Sequence, residues 1–401
     1  MESKLGGSHK GGFLLMIIAI PKEIMHGEDR VSASPETVAA MVREGWTVLV
    51  EKGAGNGAFY HDEEYVKAGA ELVSDVQDMY NRAELVLKVK EPLFHEGLGK
   101  HEIDLMHKGQ VLITFIHPAA PVNHEMVKKM AAQGVVSLTL DGVPRISRAQ
   151  NLDALTSMST CAGYKGILLA ANYLPRFMPQ YFTAVGMIKP CKALVIGTGV
   201  AGLQALATAK RLGAIIHAAD IRPDAADQAA SLGAKTIDLG VPKEVAMGEG
   251  GYAQELPENY LQHEREVLKD IVPEMDIIFC SALVPGCLAP VILTEEMVKS
   301  MKPGSVIVDI SIDQGGNCAI SPVGDVAVKH HVTCIGIKNI PGLLPESSTW
   351  MFSQNIFNFA KYIIKDDKIV LDREDEIIKK SLCTIDGEIV HAGAREAMGL
   401  D

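Results

Sequence analysis

The run ALVIGTGVAG (residues 193–202) places a short apolar strand directly before three glycines in the pattern G-x-G-x-x-G, and a helical pattern follows. In this context the first glycine, Gly197, permits a tight turn, and the second, Gly199, lets a pyrophosphate approach the backbone. The third, Gly202, lets helix and strand pack closely, and the helix N-terminus faces the phosphates. The run therefore predicts a Rossmann-type dinucleotide site. Its predicted binding residues are Gly197, Gly199, Val200, Ala201 and Gly202.

A carboxylate completes this pattern at the end of the next predicted strand. That strand, residues 215–219, leads into Asp220, about 20 residues beyond the glycine turn, where an acidic residue binds the adenosine ribose hydroxyls. A negative charge there also repels the 2′-phosphate of NADP, although Arg222 partly offsets it. We therefore predict that the cofactor is NAD(H) rather than NADP(H), with Asp220 and Arg222 among the binding residues.

Length and composition predict two domains and argue against nucleic-acid binding, a zinc site and a membrane span. A chain of 401 residues is long enough for two domains. Its net charge of −12 lacks the basic surface that nucleic-acid binding requires. The seven cysteines include no C-x-x-C pair, which argues against a zinc site and favours the reducing cytoplasm. The longest apolar run near the start, residues 13–20, is too short to span a membrane.

Short β-branched runs alternate with helical patterns along most of the chain, which is typical of βαβ units. We predict an α/β protein with two Rossmann-like domains and parallel sheets. An aromatic and aliphatic stripe in residues 349–365 predicts a C-terminal helix that returns to complete the first domain. The predicted boundaries are a leader or tag at 1–15, an N-terminal domain at 16–154 with 347–401, and an NAD-binding domain at 155–346.

The predicted strands are spread over both domains. In the first domain they lie at 17–20, 47–51, 84–89, 111–115 and 135–140. In the second they lie at 193–196, 215–219, 276–280, 305–309 and 332–336. A helix is predicted to begin at Ser34-Pro35-Glu36, which offers an N-cap hydroxyl, a proline in the first turn and an acid.

A second polar constellation, PRISRAQNLD (residues 144–153), lies between the two predicted domains. From composition alone, a solvated linker explains it equally well. The run resembles, however, the NAD(H)-binding first domain of proton-translocating transhydrogenases. The same resemblance extends over residues 16 to about 392, in the runs IPKE (20–23), GEDRV (27–31), GVAGLQA (199–205), ATAKRLGA (207–214), GGYA (250–253) and MKPGSVIVD (301–309).

The resemblance implies specific roles for several residues. Arg145, Gln150 and Asp153 would contact the nicotinamide ring and fix its orientation, and they are our predicted catalytic residues. Tyr252 would contact nucleotide from a mobile loop, although a plain surface loop is the alternative there. Leu283 would also bind cofactor, and Asn339 completes the predicted set because it matches a cofactor-side residue of alanine dehydrogenase, a second family that the chain resembles.

The resemblance also implies partners. Hydride would pass from NADH to NADP⁺ held on another subunit, coupled to proton translocation. The partners would be a membrane-spanning second segment of the alpha subunit, carried on a separate chain, and the beta subunit. This chain would be a homodimer, cytoplasmic and peripheral at the inner face of the cell membrane. No metal is predicted.

A competing resemblance is to alanine dehydrogenase, which shares the fold. Arg30, Lys90 and His117 match that enzyme's residues for binding an oxoacid and moving a proton, and Asp313 matches a residue beside its cofactor. These four residues are either remnants of a shared ancestral pocket or a working substrate site. A soluble alanine dehydrogenase is therefore the alternative function, and a non-catalytic NAD-sensing module is a third.

Overall fold

The computed structural model describes residues 16–248, 253–284 and 288–400. The chain divides into two compact units. Unit 1 comprises Met1–Leu152 and Phe352–Asp401, and unit 2 comprises Asp153–Met351. The predicted leader at 1–15 and the predicted contact residue Tyr252 lie outside the described residues.

Unit 1 is built on a predominantly parallel sheet. The sheet strands are β1 (Ile17–Ile20), β2 (Thr47–Glu51), β3 (Glu71–Val73), β4 (Leu85–Leu87), β7 (Val111–Thr114), β8 (Val136–Thr139), β20 (Leu382–Ile385) and β21 (Glu388–Ile389); β5 (Phe94–His95) pairs with β6 (Lys100–His101), and β18 (Ile364–Lys365) with β19 (Lys368–Ile369). Their order in the sheet is β21-β20-β8-β7-β4-β1-β2-β3, and β20 pairs antiparallel with both β8 and β21. The central strands are buried on both faces, which explains their continuous apolar runs.

The helices of unit 1 cover this sheet. The first begins where predicted, because Ser34 Oγ accepts a hydrogen bond from the backbone N–H of Thr37 at 3.3 Å. These helices are α1 (Pro35–Arg43), α2 (Asp62–Lys67), α3 (Val76–Arg82), α4 (Glu102–Leu105), α5 (His124–Gln133), α13 (Glu376–Ser381) and α14 (Ala392–Met398).

The predicted returning helix is α12 (Pro345–Ile363), which begins in unit 2 and ends in unit 1. Within unit 1 its apolar stripe is fully buried, and Phe352 packs on Phe115 with 5.8 Å between ring centroids. The helix is not alone in completing unit 1, because β20 and β21 extend the sheet beyond β8. Those two strands were not predicted.

Unit 2 is built on a second sheet, which is parallel except for one edge strand. Its strands are β11 (Lys192–Ile196), β12 (Ile215–Ala219), β13 (Lys235–Ile237), β14 (Ile277–Cys280), β15 (Val306–Asp309), β16 (Val326–Lys329) and β17 (Val332–Ile335); β9 (Tyr181–Thr183) and β10 (Gly186–Ile188) form a separate hairpin. The order is β13-β12-β11-β14-β15-β17-β16, with β16 antiparallel at the edge. Leaving that edge strand aside, this is the doubly wound 3-2-1-4-5-6 order of Rossmann sheets. The predicted α/β class with Rossmann-like sheets is therefore confirmed.

Helices cover both faces of the second sheet, and each face has its own buried cluster of apolar side chains. The helix that contains Gly163 packs closely on the helix that follows the glycine turn. A Cβ at Gly163 would lie 2.1 Å from the carbonyl oxygen of Ala201 in that second helix. In the described residues, no helix has the length and apolar character needed to cross a membrane. The helices are α6 (Ala154–Tyr173), α7 (Val200–Arg211), α8 (Pro223–Ser231), α9 (Lys243–Ala246), α10 (Glu258–Lys269) and α11 (Glu295–Ser300).

Candidate functional site

The glycine turn of unit 2 joins β11 to α7 with the geometry that a dinucleotide needs. Gly197 has a φ of +83°, and a Cβ at Gly202 would lie only 2.0 Å from the carbonyl oxygen of Gly197. Turn and helix therefore pack together only because both residues are glycine. At Gly199, in contrast, the nearest atom to a Cβ is Arg222 Nη2 at 4.0 Å. Open space at the N-terminus of α7 is where a pyrophosphate would fit.

Asp220 follows β12 directly and is tied to the glycine turn. Its Oδ2 accepts hydrogen bonds from the Thr198 backbone N–H at 2.6 Å and from Arg222 Nη2 at 2.9 Å, and its Oδ1 accepts from Arg222 Nε at 3.0 Å. The carboxylate is thus charge-paired within the turn rather than a free anion. The sequence suggested a partial offset by Arg222, and the structure shows a two-point ion pair.

The other predicted residues of unit 2 lie in loops that follow parallel strands. Leu283 follows β14 and is 38% exposed, Asp313 follows β15, and Asn339 follows β17 with a φ of +56°. Carboxyl ends of parallel strands share one edge of a sheet, so these loops lie on the same edge as the glycine turn. Asp313 has Lys338 Nζ at 3.7 Å from its Oδ1, a long and exposed ion pair.

In unit 1, the predicted nicotinamide loop includes a short 3₁₀ helix, Ser147–Leu152, and both Arg145 and Gln150 are exposed. Its neighbour Arg148 anchors the loop, since Arg148 Nη1 donates to Asp375 Oδ2 at 2.6 Å and to Tyr362 Oη at 2.7 Å. The two predicted contact residues therefore flank an anchored arginine. This is compatible with an orienting role for a pre-organised loop.

Asp153, the third predicted catalytic residue, is the first residue of unit 2. Its Oδ1 accepts a hydrogen bond from the Thr156 backbone N–H at 2.8 Å, and its Oδ2 accepts one from Thr156 Oγ1 at 2.6 Å. The side chain thus caps helix α6. If Asp153 contacts nicotinamide, the same carboxylate must at the same time accept the capping hydrogen bonds from Thr156.

Unit 1 also brings together the residues that resemble an oxoacid site. Arg30 is buried and forms a two-point ion pair with Glu28, with distances of 2.7 Å from Nε and 2.5 Å from Nη2. The charge of Lys90 acts on both Glu28 and His117, so these groups form one electrostatic cluster. Arg30, Lys90 and His117 are therefore clustered, but the arginine already holds an internal carboxylate.

His117 is paired with an aspartate that sequence analysis missed. Asp141 Oδ1 lies 2.8 Å from His117 Nδ1, and Asp141 Oδ2 accepts hydrogen bonds from the His117 backbone N–H at 2.8 Å and from Thr139 Oγ1. Burial tends to lower the pKa of the imidazole, but the side chain remains 39% exposed and the Asp141 carboxylate dominates. The pKa of His117 is therefore raised, which favours its charged form near neutrality.

Sequence analysis missed two groups of charged residues, Asp141 and the buried cluster around Lys88, because the members of each group are distant in sequence. Asp141 directly follows the predicted strand at 135–140, and this position at a strand end was the available signal. Lys88 is fully buried between Glu102, 2.8 Å away, and Glu23, 3.3 Å away. Burial raises the pKa of Glu23 to about 7, even with Lys88 beside it. Only the fold could show this buried cluster.

The strand order, the glycine turn and Asp220 define a Rossmann-type α/β protein. The chain belongs to the alanine dehydrogenase/PNT family: the model of the family's N-terminal domain matches residues 19–162, and that of its C-terminal domain matches residues 166–392.

Relatives within this family fall into two groups. The chain is 42% identical over 381 residues to the first segment of NAD(P) transhydrogenase subunit alpha from Rhodospirillum rubrum, covering 94% of this chain and 98% of that protein. It is 31% identical over 398 residues to the alanine dehydrogenase of Bacillus subtilis, covering 96% of each. The transhydrogenase relatives are thus the more similar of the two groups.

Solved structures give the same ranking. A transhydrogenase from Sinorhizobium meliloti aligns with a TM-score of 0.81 and 36% identity, covering 93% of this chain and 100% of that chain. An L-alanine dehydrogenase aligns with a TM-score of 0.78 and 28% identity, covering 96% and 99%. The predicted resemblance to the transhydrogenase alpha subunit is confirmed.

Proposed function

We propose that this chain is the NAD(H)-binding component of a proton-translocating transhydrogenase. The observation that carries the proposal is the glycine turn at Gly197–Gly202, which is open at Gly199 and bordered by Asp220. Bound NADH would supply a hydride directly to NADP⁺ on a partner subunit, coupled to proton translocation. This chemistry requires no acid or base from the protein.

The chain's own residues would bind and orient the cofactor. The N-terminus of α7 would hold the pyrophosphate, and Asp220 with Arg222 would hold the adenosine end. Arg145, Gln150 and Asp153 would fix the orientation of the nicotinamide ring. Tyr252, Leu283 and Asn339 would add contacts around the dinucleotide. Alignment of this kind lowers the barrier by reducing the entropy lost in the transition state.

We further propose two membrane-spanning partners, the separate second segment of the alpha subunit and the beta subunit. The relatives named as subunits of a transhydrogenase support this assignment. In that assembly the chain would be cytoplasmic and peripheral at the inner face of the cell membrane, and its NADP(H) would lie on a partner.

Self-association is proposed from the hairpin β9–β10. In this hairpin Phe182 is 77% exposed, Val185 is 98% exposed and Met187 is 51% exposed. Phe182 and Met187 are cross-strand neighbours, and adjacent exposed apolar side chains of this kind are typical of interaction surfaces. A homodimer that buries these side chains is the assembly we propose.

Alanine dehydrogenase is the second candidate, and one specific observation favours it. The His117–Asp141 pair is a proton-transfer arrangement next to Lys90. Transhydrogenation has no need for such a pair. The internal Glu28–Arg30 ion pair argues against this candidate, because an incoming carboxylate would have to displace Glu28.

The test separates the two candidates by substrate. The protein is incubated with NADH, pyruvate and ammonium while nicotinamide absorbance is followed, and the assay is repeated with an NADP-binding partner domain and NADP⁺. Hydride transfer only with the partner supports the proposal. Turnover of pyruvate by the isolated chain would overturn it in favour of alanine dehydrogenase.

Replacement of the loop residues tests their orienting role. Arg145→Ala and Gln150→Ala should slow hydride transfer more than they weaken NADH binding, because these residues orient the ring rather than anchor the nucleotide. Equal losses of rate and affinity would contradict the role. Lys128→Ala, on the exposed face of α5, serves as the control and should change neither quantity.

A further inference from the structure

Asn317 is a fully buried polar residue in the connection that follows β15 in unit 2. Its Oδ1 accepts hydrogen bonds from the Ala282 backbone N–H at 3.0 Å and from Ser311 Oγ at 2.8 Å. Its Nδ2 donates to the carbonyl oxygens of Ala282 at 2.8 Å and Pro290 at 2.9 Å. A carboxamide has two acceptor lone pairs and two N–H donors, so its hydrogen-bonding capacity is fully used. Asn317 therefore acts on its protein neighbours rather than on a bound molecule.

These neighbours belong to the connections that leave two adjacent parallel strands. Ala282 follows β14, and Ser311 follows β15. Pro290 lies farther along the same connection as Ala282, so one carboxamide holds this connection at two points. The backbone of Asn317 adds a third, because its carbonyl oxygen accepts a hydrogen bond from the Ile292 N–H at 2.8 Å. Asn317 thus joins the connection after β14 to the connection after β15.

The connection after β14 also contacts the glycine turn. Ser281 Oγ donates to the carbonyl oxygen of Gly197 at 2.7 Å, and a Cβ at Gly197 would lie 2.6 Å from the backbone nitrogen of Ala282. Ala282 is therefore in close contact with the turn and hydrogen-bonded to Asn317. The next residue is Leu283, one of the predicted cofactor contacts. Loss of the Asn317 carboxamide would release the backbone beside Leu283 while leaving the glycine turn itself intact.

The two halves of a Rossmann sheet divide a dinucleotide between them. The half that contains β11, β12 and β13 carries the glycine turn and Asp220, which would hold the pyrophosphate and the adenosine. The half that contains β14, β15 and β17 carries Leu283 and Asn339 in the connections that follow β14 and β17. By this division, the connections that Asn317 joins belong to the nicotinamide half.

We propose that Asn317 is a positioning residue for the nicotinamide half of the dinucleotide. Its carboxamide orders the connection after β14 in advance, so that binding does not have to order it. This inference rests on the proposed function, in which this edge of the sheet holds NAD(H). Asn317 acts through the backbone of Ala282 and is not a catalytic residue. A ligand that occupies only the adenosine half should therefore be insensitive to its loss.

The experiment compares NADH with ADP, which carries the adenosine and two phosphates but no nicotinamide. Nicotinamide fluorescence gives the dissociation constant for NADH, and isothermal titration calorimetry gives that for ADP. Asn317→Ala should weaken NADH binding roughly tenfold, because the released connection must then be ordered when the nicotinamide half binds. The affinity for ADP should change by less than about twofold, since the glycine turn and Asp220 are in the other half.

Ser305→Ala is the matched control for a loss of stability. Ser305 is buried and directly precedes β15, and its Oγ donates to the carbonyl oxygen of Met275 at 3.2 Å, just before β14. This hydrogen bond joins the same two strands at the opposite edge of the sheet. Ser305→Ala should lower the melting temperature without changing the ratio of the NADH and ADP dissociation constants. A merely structural role for Asn317 would give Asn317→Ala the same unchanged ratio, and that result would refute the proposal.

Hydrogen exchange in the wild type tests the proposal without a variant. NADH should slow exchange at the amide of Ala282, which donates to Asn317, and ADP should leave it unchanged. Equal protection by the two ligands would overturn the role of Asn317 even if Asn317→Ala did not fold. A wild type that binds no NADH would instead refute the proposed function, so the two failures are distinguishable.

Discussion

The glycines of the β11–α7 turn perform two separable tasks. A Cβ at Gly202 would collide with the backbone at Gly197, whereas a Cβ at Gly199 meets only open space. Gly202→Ala should therefore reduce both stability, by about 1–3 kcal/mol, and NADH binding, since the backbone must shift.

Gly199→Ala should weaken NADH binding roughly tenfold, because the added methyl lies where the pyrophosphate approaches, while the melting temperature stays unchanged. Thermal unfolding and a fluorescence titration measure the two effects, and a large loss of stability in Gly199→Ala would contradict this division.

The His117–Asp141 pair predicts a pH-dependent contribution to stability. The pKa of His117 is raised in the folded state, so the stabilisation is fully present below the ordinary histidine pKa of about 6.5 and is lost as pH rises through the folded value. Asp141→Asn should therefore cost about 1 kcal/mol more at pH 6 than at pH 9. Urea unfolding at both values measures the difference. Glu125→Gln, an exposed pair member, should show no such dependence.

At this scale, local sequence patterns predicted the glycine turn and Asp220 because both belong to one continuous βαβ segment, in which β11, α7 and β12 follow one another along the chain. The partners of the charged residues were not predictable in the same way. Glu102 approaches Lys88 through the tertiary fold, and Asp375 approaches Arg148 from a segment more than 200 residues away in sequence. Long-range electrostatic contacts leave no periodic signal in the sequence.

At the scale of elements, helix α10 buries an acidic side chain, since Glu264 is 4% exposed on the same helix face as Leu268, and this burial raises the pKa of Glu264. The folded-state pKa of Glu264, about 7, exceeds the ordinary value of 4.5, so the folded protein holds a proton that the unfolded chain releases. Stability therefore falls as pH rises through this window. Glu264→Gln lacks this titration, and its free energy of unfolding should exceed that of the wild type by a margin that grows with pH, reaching up to about 3 kcal/mol above pH 7.

Urea unfolding at pH 5 and pH 8 measures this margin for the wild type and Glu264→Gln. The same experiment on Glu266→Gln, from the exposed face of the helix, should give a constant difference. An equal margin for Glu264→Gln at both pH values would show that the carboxyl is ionised throughout.

The sequence pattern predicted the buried central strands of both sheets well, since apolar runs of four or five residues between turns are a strong signal. The pattern did not predict the short strands at the edges of the sheets. Strand β21 has only two residues and β13 has exposed positions, so neither shows apolar alternation. The helical stripe of α12 was predicted because its buried residues recur with helical spacing over several turns.

For the whole molecule, the hairpin β9–β10 predicts the oligomeric state. Phe182→Ser combined with Val185→Ser should convert a dimer to a monomer, because it removes two large apolar side chains from the exposed hairpin. Sedimentation velocity measures the change. Val122→Ser, at an 89% exposed position outside the hairpin, is the control and should leave the dimer intact. A wild-type protein that is already monomeric would remove the basis of this prediction.

The order of the units along the chain has a consequence for biosynthesis. Unit 2 is a continuous segment, Asp153–Met351, inserted into unit 1. Strand β8 pairs on its outer side with β20, which comes from residues 382–385. During translation, unit 2 can therefore fold once its last residue has left the ribosome. The N-terminal part of unit 1, in contrast, has an unpaired sheet edge until residues 382–385 are synthesised. That interval is when the nascent chain is most exposed to aggregation and most in need of a chaperone.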